Sequence, residues 1–505
     1  MAKLIYYSLL IILPFLLLIQ LYRAMFSSRK QAGRLPPCPW QLPIMGSIHH
    51  LVGDLPHRAL RDLSRRYGPV MLLKFGQVPF IIVSSPEAAK DIMKTHDSIF
   101  ATRPQSEIMK IITKRGQGLV FAPYDDQWRQ LRKICIRELL CAKRVQSFCA
   151  IREEEAARLV KSITGDQAHL VNLSKKLADY ATDAAIRIIT GTRFENQEVR
   201  DKFQYYQDEG VHLAASFCTA NLCPSLQLGN TLSRTARKAE IYREGMFAFI
   251  GGIINEHQER RALDMSHQED LIDVLLRIQQ EDSLEFPVSV ETIKFLIFDI
   301  LAGGSETVTT VLQWAMAELM RNPTVLSKAQ DEVREVFKGK KMVSNEDIGK
   351  LTYLQFVIKE TLRLHTPGPL FMRECQEQCQ VMGYDVPKGT KILLNLWSIS
   401  RDPKYWDDPE TFKPERFEDD ARDFKGNDFE FIPFGAGRRM CPGMLFGLAN
   451  IELALTNLLF FFDWRLPDGV HPSELDMTEN FGVTVRKKED LLLHASLHVQ
   501  VQLSY

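Results

Sequence analysis

Phe434-Gly435-Ala436-Gly437-Arg438-Arg439-Met440-Cys441-Pro442-Gly443 gathers one cysteine, three glycines and two arginines just ahead of an apolar helical pattern. Glycines let a backbone approach a flat object closely and reach dihedrals closed to other residues. Arg438 and Arg439 offer forked donors to carboxylates. A thiolate held by backbone N–H groups at the start of the following helix stays charged. Together these suit a haem, which needs an axial ligand, close approach and partners for its propionates. The same residues also suit a buried, inert cysteine before a helix. Chemistry alone leaves the two open.

The bulk composition narrows the field. The chain has 505 residues, with 63 basic and 63 acidic side chains and a formal net charge of zero. A nucleic-acid binder would carry a basic domain or stripe, so none is expected. Nine cysteines are scattered along the chain; Cys375 and Cys379 stand four apart without a matching second pair, which fits neither a disulfide framework nor a paired zinc motif. A reducing compartment follows.

Residues 4–22 contain no charge and would span about 28 Å as a helix, close to the hydrocarbon thickness of a bilayer. Arg23, Arg29, Lys30 and Arg34 follow without an acid, placing the remainder in the cytoplasm. Residues 1–23 are therefore expected to be a single-pass membrane anchor rather than a cleaved signal peptide, since the apolar run is long and no small-residue cleavage site follows. On that topology the acceptor Asn172-Leu173-Ser174 stays unglycosylated. Residues 24–50 read as a basic and proline-rich hinge. Within it Leu35-Pro36-Pro37-Cys38-Pro39-Trp40-Gln41-Leu42-Pro43 cannot be helical and forms a stiff spacer. Residues 51–505 have no linker-like division and read as one helix-rich domain with a small sheet.

Within that domain, residues 57–67 read as a helix ended by Gly68-Pro69, and residues 70–75 and 80–83 as strands around a turn. Ser85 caps a helix beginning Pro86-Glu87. Residues 98–120 read as a long irregular loop of the kind that carries function. Residues 125–201 are largely helical, 220–228 form an apolar break, and 255–270 read as a solvated loop or fraying helix. Further strands lie beyond residue 380.

The pattern over residues 290–320 is a single long helix, unusually apolar, with Ala302-Gly303-Gly304-Ser305-Glu306-Thr307 at its middle. Two interior glycines cost about 1 kcal/mol each relative to alanine and leave room for something flat against the backbone. Thr307 can give its hydroxyl to a preceding carbonyl or a ligand, opening the helix locally. Glu306 beside it completes a proton relay; the alternative is a packing notch with Glu306 paired elsewhere. Glu360 and Arg363 share one helical face, with Arg416 a third member of a buried structural cluster or, alternatively, an exposed pair. Trp128 and Arg132 are four apart and can place an indole N–H and a guanidinium on one anion.

These pieces resemble the plant microsomal cytochrome P450 haem-thiolate monooxygenases of specialised metabolism. The likeness runs from the anchor to the C-terminus. It rests on the cysteine loop, Glu360-Thr361-Leu362-Arg363, Pro414-Glu415-Arg416-Phe417, Gly303-Gly304-Ser305-Glu306-Thr307, Trp128-Arg129-Gln130-Leu131-Arg132 and the proline-rich hinge. Each short motif is weak, but their order and spacing are not. The resemblance implies a mainly α fold with a small β region, the triangular helix-rich prism of the cytochrome P450s behind an N-terminal transmembrane helix. It implies haem b (iron protoporphyrin IX), with Cys441 as axial ligand to the iron and Phe434 and Gly435 beside the ring. Trp128, Arg132, Arg373 and Arg439 would bind the propionates, Thr307 and Glu306 would deliver protons to dioxygen, and Glu360, Arg363 and Arg416 would lock the core. Substrate contacts would come from the loop after residue 98, residues 217–226, Phe295, Phe298, Leu301, Ala302, Leu370, Phe371 and Phe481, an apolar set that suits a hydrophobic ligand.

The implied partners are NADPH–cytochrome P450 reductase, cytochrome b5 as a second donor, dioxygen, a small hydrophobic substrate and the lipid of the endoplasmic reticulum, with no nucleic acid. The expected activity is hydroxylation of a terpenoid. Alternatives are an aromatic or indolic substrate, a reductase-independent isomerase or dehydratase, and a non-enzymatic membrane haem carrier or sensor. Three departures from the family pattern stand out: Val308 follows Thr307 where a hydroxyl is common, Cys38 replaces a hinge glycine, and residues 365–373 are one residue short and lack the proline before Arg373.

Overall fold

The structure is a computed structural model that describes residues 34–165, 170–194, 196–215, 234–262, 269–281 and 284–499. The expected anchor, the first part of the hinge and the apolar segment 217–226 lie outside the described residues.

The long central helix forms as its sequence predicts, over Val290–Arg321. The Ser289 hydroxyl accepts the Thr292 N–H at 3.1 Å and opens it. Asn322-Pro323 closes it, and Pro323 then starts the next helix, Pro323–Val336. Its second half, from Val308 to Met320, is almost wholly buried, with Leu312, Trp314 and Ala315 fully enclosed. Around it pack Leu173–Thr190, Thr352–Leu364 and Met444–Phe461, whose apolar faces form one continuous core. Met444–Phe461 is apolar on all sides because it is buried on all sides. Both it and the central helix are long and apolar enough to cross a membrane, yet each is mostly buried within the protein.

A four-stranded sheet flanks this core in the order Val70–Phe75, Val78–Val83, Lys391–Asn395, Leu370–Glu374. The first pair is a two-residue hairpin, since Phe75 already faces Val78; the expected turn was longer, but Pro79 lies inside the strand opposite Lys74. The helix Pro56–Tyr67 lies against the sheet, packing Leu60 and Leu63 onto Met71, Leu73, Ile82 and Leu393. The Ser85 hydroxyl caps Pro86–Lys90 as expected, 3.3 Å from the Ala88 N–H.

Two expectations change. The segment read as a loop after residue 98 contains the short helix Glu107–Ile112, capped by Ser106. Helix Arg234–Ala262 covers the first part, 255–262, of the stretch read as a solvated loop or fraying helix, held there by the buried His257, which bonds Asp270 at 2.7 Å. Asn172 and Ser174 both act in folding: Asn172 caps Leu173–Thr190, and the Ser174 hydroxyl accepts the Leu491 N–H at 2.9 Å.

Candidate active site

The cysteine loop is shaped by its glycines. Gly435 and Gly437 adopt φ of 71° and 67°. A Cβ on Gly437 would fall 2.2 Å from the Met93 carbonyl oxygen, so only glycine fits that approach. The Cys441 N–H donates to the Phe434 carbonyl at 2.9 Å, closing the loop, and Gly443 leads into Met444–Phe461. Arg438 leaves the site and pairs with Asp97 at 3.2 Å. Cys441 is exposed, but within a deep concavity: burial pushes its thiol pKa up, against the pull of the Gly443 N–H, Arg132 and Arg103.

Arg103 and Arg132 stand near this thiol, and Arg373 and Arg439 stand near Arg103. Arg132 donates to the Met440 carbonyl. Arg439 is buried, spends its donors on the carbonyls of Ala101, Leu119 and Ala122, and lies 4.0 Å over the Trp128 ring. Its pKa drops to about 9 through burial and repulsion from Arg103 and Arg132. Arg373 is also held well below its ordinary pKa, by burial and by Arg103 and Arg439. The Nη2 of Arg373 is buried and has no partner. The Trp128 indole N–H donates to the Leu119 carbonyl at 2.9 Å, so its one polar hydrogen serves the protein.

Arg103, the member that the sequence reading passed over, sits in the irregular loop within the polar stretch Thr102-Arg103-Pro104-Gln105-Ser106, where no local signal sets it apart. Asp299 on the central helix, also passed over, answers this charge. It accepts the N–H groups of Leu119 (2.6 Å) and Val120 (3.1 Å), and burial lifts its pKa to about 6 despite those bonds and the nearby Arg103 and Arg439.

Thr307 donates its hydroxyl to the Gly303 carbonyl at 2.6 Å, and the helix runs unbroken through this point instead of opening. Back-bonding of this kind satisfies the hydroxyl without displacing the helical hydrogen bonds. Ala302 and Gly303 are exposed, and a Cβ added to Gly303 would meet nothing within 4 Å. Glu306 is paired elsewhere: both its oxygens take the Arg486 fork, and the Thr484 hydroxyl donates to it at 2.6 Å.

Glu360, Arg363 and Arg416 do come together. Arg363 grips Glu360 through two bonds of 2.7 and 2.8 Å, Arg416 adds a third of 2.9 Å, and all three side chains are buried. The remaining Arg363 donors go to the carbonyls of Ser400, Pro409 and Thr411.

The apolar pocket candidates divide. Phe295 and Leu301 are fully enclosed in a core cluster and line no open space; Phe295 packs at 4.5 Å on Phe247. Phe298 is partly buried on the same Phe247, at 5.7 Å. Leu370 and Phe371 point to opposite faces of one strand, as alternation requires. Leu370 joins the cluster under the sheet, while the Phe371 ring lies against Gly368 and Gly435 of the cysteine loop. Phe481 stacks on His57 at 5.9 Å.

A buried orphan donor, four cations that outnumber the nearby carboxylates of Asp97, Asp125 and Asp299, a thiol and an uncrowded glycine on the central helix fit a flat dianionic ring that carries a thiol-ligated metal. Fold and site together define a haem-thiolate protein. The chain matches the cytochrome P450 family over residues 36–494. It is 45% identical over 496 residues to premnaspirodiene oxygenase of Hyoscyamus muticus, covering 97% of this chain and 98% of that one. To 5-epiaristolochene 1,3-dihydroxylase of Nicotiana tabacum it is 45% identical over 498 residues, covering 97% and 98%. A zebrafish cytochrome P450 solved with progesterone has the same fold, with a TM-score of 0.75 at 24% identity, covering 88% of this chain and all of that one. This chain belongs to the cytochrome P450 family and is a monooxygenase using a haem-thiolate cofactor, a redox partner and dioxygen.

Proposed function

We propose that this enzyme hydroxylates a terpenoid hydrocarbon at the endoplasmic reticulum membrane, with both electrons passed from NADPH by a flavoprotein reductase and cytochrome b5 as a second donor. Residues 1–23 would anchor it, 24–50 would form the hinge, and 51–505 would face the cytosol. The observation that carries the site reading is the cluster of Arg103, Arg132, Arg373 and Arg439, two of which stand near the Cys441 thiol. The substrate class is carried over from the oxygenase relatives, both of which act on terpenoids by name, and from the apolar surroundings of Phe298, Ala302 and Phe481.

Haem b, held by Cys441, would supply the oxygen activation and the oxidising power. The chain's own residues do the rest. Burial holds the Cys441 thiol pKa up, so the anion would depend on the bound group; Arg132, Arg103 and the Gly443 N–H are the protein groups that favour it. Arg373 and its neighbours neutralise the two propionates, which relieves their mutual repulsion. Thr307 holds a water in hydrogen-bonding reach, and Glu306 exchanges protons with bulk solvent.

The test is the carbon monoxide difference spectrum of reduced microsomes carrying the intact chain or Cys441→Ser, followed by incubation with reductase, NADPH and a panel of sesquiterpene and diterpene hydrocarbons. The expected result is a band near 450 nm lost in the variant and a hydroxylated terpene from the intact chain. A spectrum unchanged by Cys441→Ser overturns the site. Turnover of aromatic or indolic compounds with every terpene inert overturns the substrate class.

A further inference from the structure

Glu479–Phe481 and Val485–Lys487 pair antiparallel, Phe481 opposite Val485, leaving 482–484 as the tip of a hairpin. This hairpin is fastened at two points. At its base the buried Glu479 carboxylate takes His57 at 3.0 Å and Arg58 at 2.9 Å. Burial alone would raise the Glu479 pKa, but the His57 and Arg58 contacts hold it at about 2. Near the tip, Trp314 of the central helix donates to the Val485 carbonyl at 2.9 Å. About two helical turns before it, Glu306 receives the Thr484 hydroxyl and both arms of Arg486. Between the two fastenings stand Phe481 and the half-exposed Val483.

Glu306 and Thr307 are consecutive on a helix, so their side chains leave the axis about 100° apart. The carboxylate meets the Thr307 side of the helix only by swinging off Arg486, and a forked, partly buried pair resists that motion. Thr484 and Arg486 ride on the hairpin, so displacing the tip loosens all three bonds to Glu306 at once.

We propose that Arg486 is a positioning residue that ties the carboxylate of Glu306 to the tip of hairpin 479–487, so that a ligand seated on Phe481 and Val483 sets where Glu306 stands relative to Thr307. This rests on the reading of Glu306 and Thr307 as the proton-delivering pair. In productive turnover two electrons and two protons convert dioxygen into one water and one inserted oxygen atom. Glu306 passes on protons taken from solvent and ends each cycle as it began. Without substrate the same electrons yield hydrogen peroxide, from two electrons and two protons, or two waters, from four of each. The peroxide formed per NADPH consumed therefore reads proton placement with no substrate present.

The experiment uses the full-length enzyme with reductase in lipid, as wild type, Arg486→Gln, Arg486→Lys and Glu306→Gln. Peroxide per NADPH is measured alongside amide hydrogen exchange over residues 479–487. Arg486→Gln is expected to lose exchange protection across the hairpin and to shift the peroxide ratio in the same direction as Glu306→Gln. Arg486→Lys, which keeps charge but not the fork, should recover part of both. If Arg486→Gln leaves either readout at the wild-type value while Glu306→Gln shifts the peroxide ratio, the inference fails and the relay stands. If Glu306→Gln leaves the ratio unchanged, the relay reading itself fails, and the inference with it, whatever the hairpin does.

Discussion

Trp128 and Arg439 share one acceptor: the indole N–H and a guanidinium N–H both donate to the carbonyl of Leu119, at 2.9 and 3.0 Å. The N–H of the same residue donates to Asp299. One residue of an irregular loop is thus held from one side by the cysteine loop and the helix Asp126–Ile134, and from the other by the central helix. Gly118 makes the approach possible, since a Cβ there would fall 2.6 Å from the Asp299 carboxylate. The wall beside the thiol is one hydrogen-bonded unit built from four separate parts of the chain.

Asp299 should leave a signature in the pH dependence of stability. Its folded pKa is about 6, above that of an unfolded aspartate. The folded state therefore holds the proton longer, and stability falls as pH rises from about 4 through 6, by up to about 3 kcal/mol in total. Asp299→Asn keeps an acceptor for Leu119 and Val120 but removes the titration. Urea midpoints at pH 5 and pH 7 should converge in the variant relative to wild type. Equal pH dependence in the two proteins would show that Asp299 carries no such proton.

The Glu360–Arg363 pair makes a different demand. Both side chains are fully buried, and removing one partner strands a charge, at about 3–5 kcal/mol. Glu360→Gln should lose most of the folded, carbon monoxide-binding protein at equal expression. Arg65→Ala, which breaks an exposed pair with Asp62, should change the unfolding midpoint by less than about 0.5 kcal/mol. Comparable losses in the two variants would contradict the burial argument.

These features were unequally legible in the sequence. The cysteine loop could be read because its causes are local: Gly435 and Gly437 take positive φ within the motif that contains Cys441. The central helix could be read because Ser289 and Pro323 mark its ends. Its pocket face could not, since Phe295 and Leu301 look no different from Phe298 and Ala302 in an apolar run. Phe295 and Phe298 even share Phe247, on another helix, as a neighbour, and only the packing of the whole fold encloses the first and leaves the second partly open. Asp299 was missed because its partners lie about 180 residues earlier. For Glu306 the sequence leaves relay and pairing both open, because nothing within its own helix reveals Arg486.

Two glycines of the site should respond oppositely to alanine. A Cβ on Gly303 meets open space, so Gly303→Ala should fold and gain up to about 1 kcal/mol of helix propensity while narrowing the face above the thiol. Gly437→Ala would drive a Cβ into the Met93 carbonyl at a positive φ and should not yield folded protein with a 450-nm band. Unfolding midpoints and azole titrations distinguish the cases: Gly303→Ala should be at least as stable as wild type but bind a bulky azole more weakly. A destabilised Gly303→Ala would mean that its surroundings are filled.

Thr307 offers the sharpest separation of chemistry from folding. Its hydroxyl bonds the Gly303 carbonyl, a contact the helix does not need, and Val308 beside it provides no second hydroxyl. Thr307→Val keeps the branched shape and removes the oxygen, so the carbon monoxide spectrum and unfolding midpoint should stay near wild type. Hydroxylated product per NADPH should fall by roughly 100-fold, the lower end of what positioned proton transfer contributes, with peroxide rising in its place. Thr307→Ser should recover much of the loss, because serine restores the hydroxyl on the same helical position. If Thr307→Val keeps full coupling, the proton path avoids this residue, and the alternative route to test is the Thr484 hydroxyl, 2.6 Å from Glu306 on the facing hairpin.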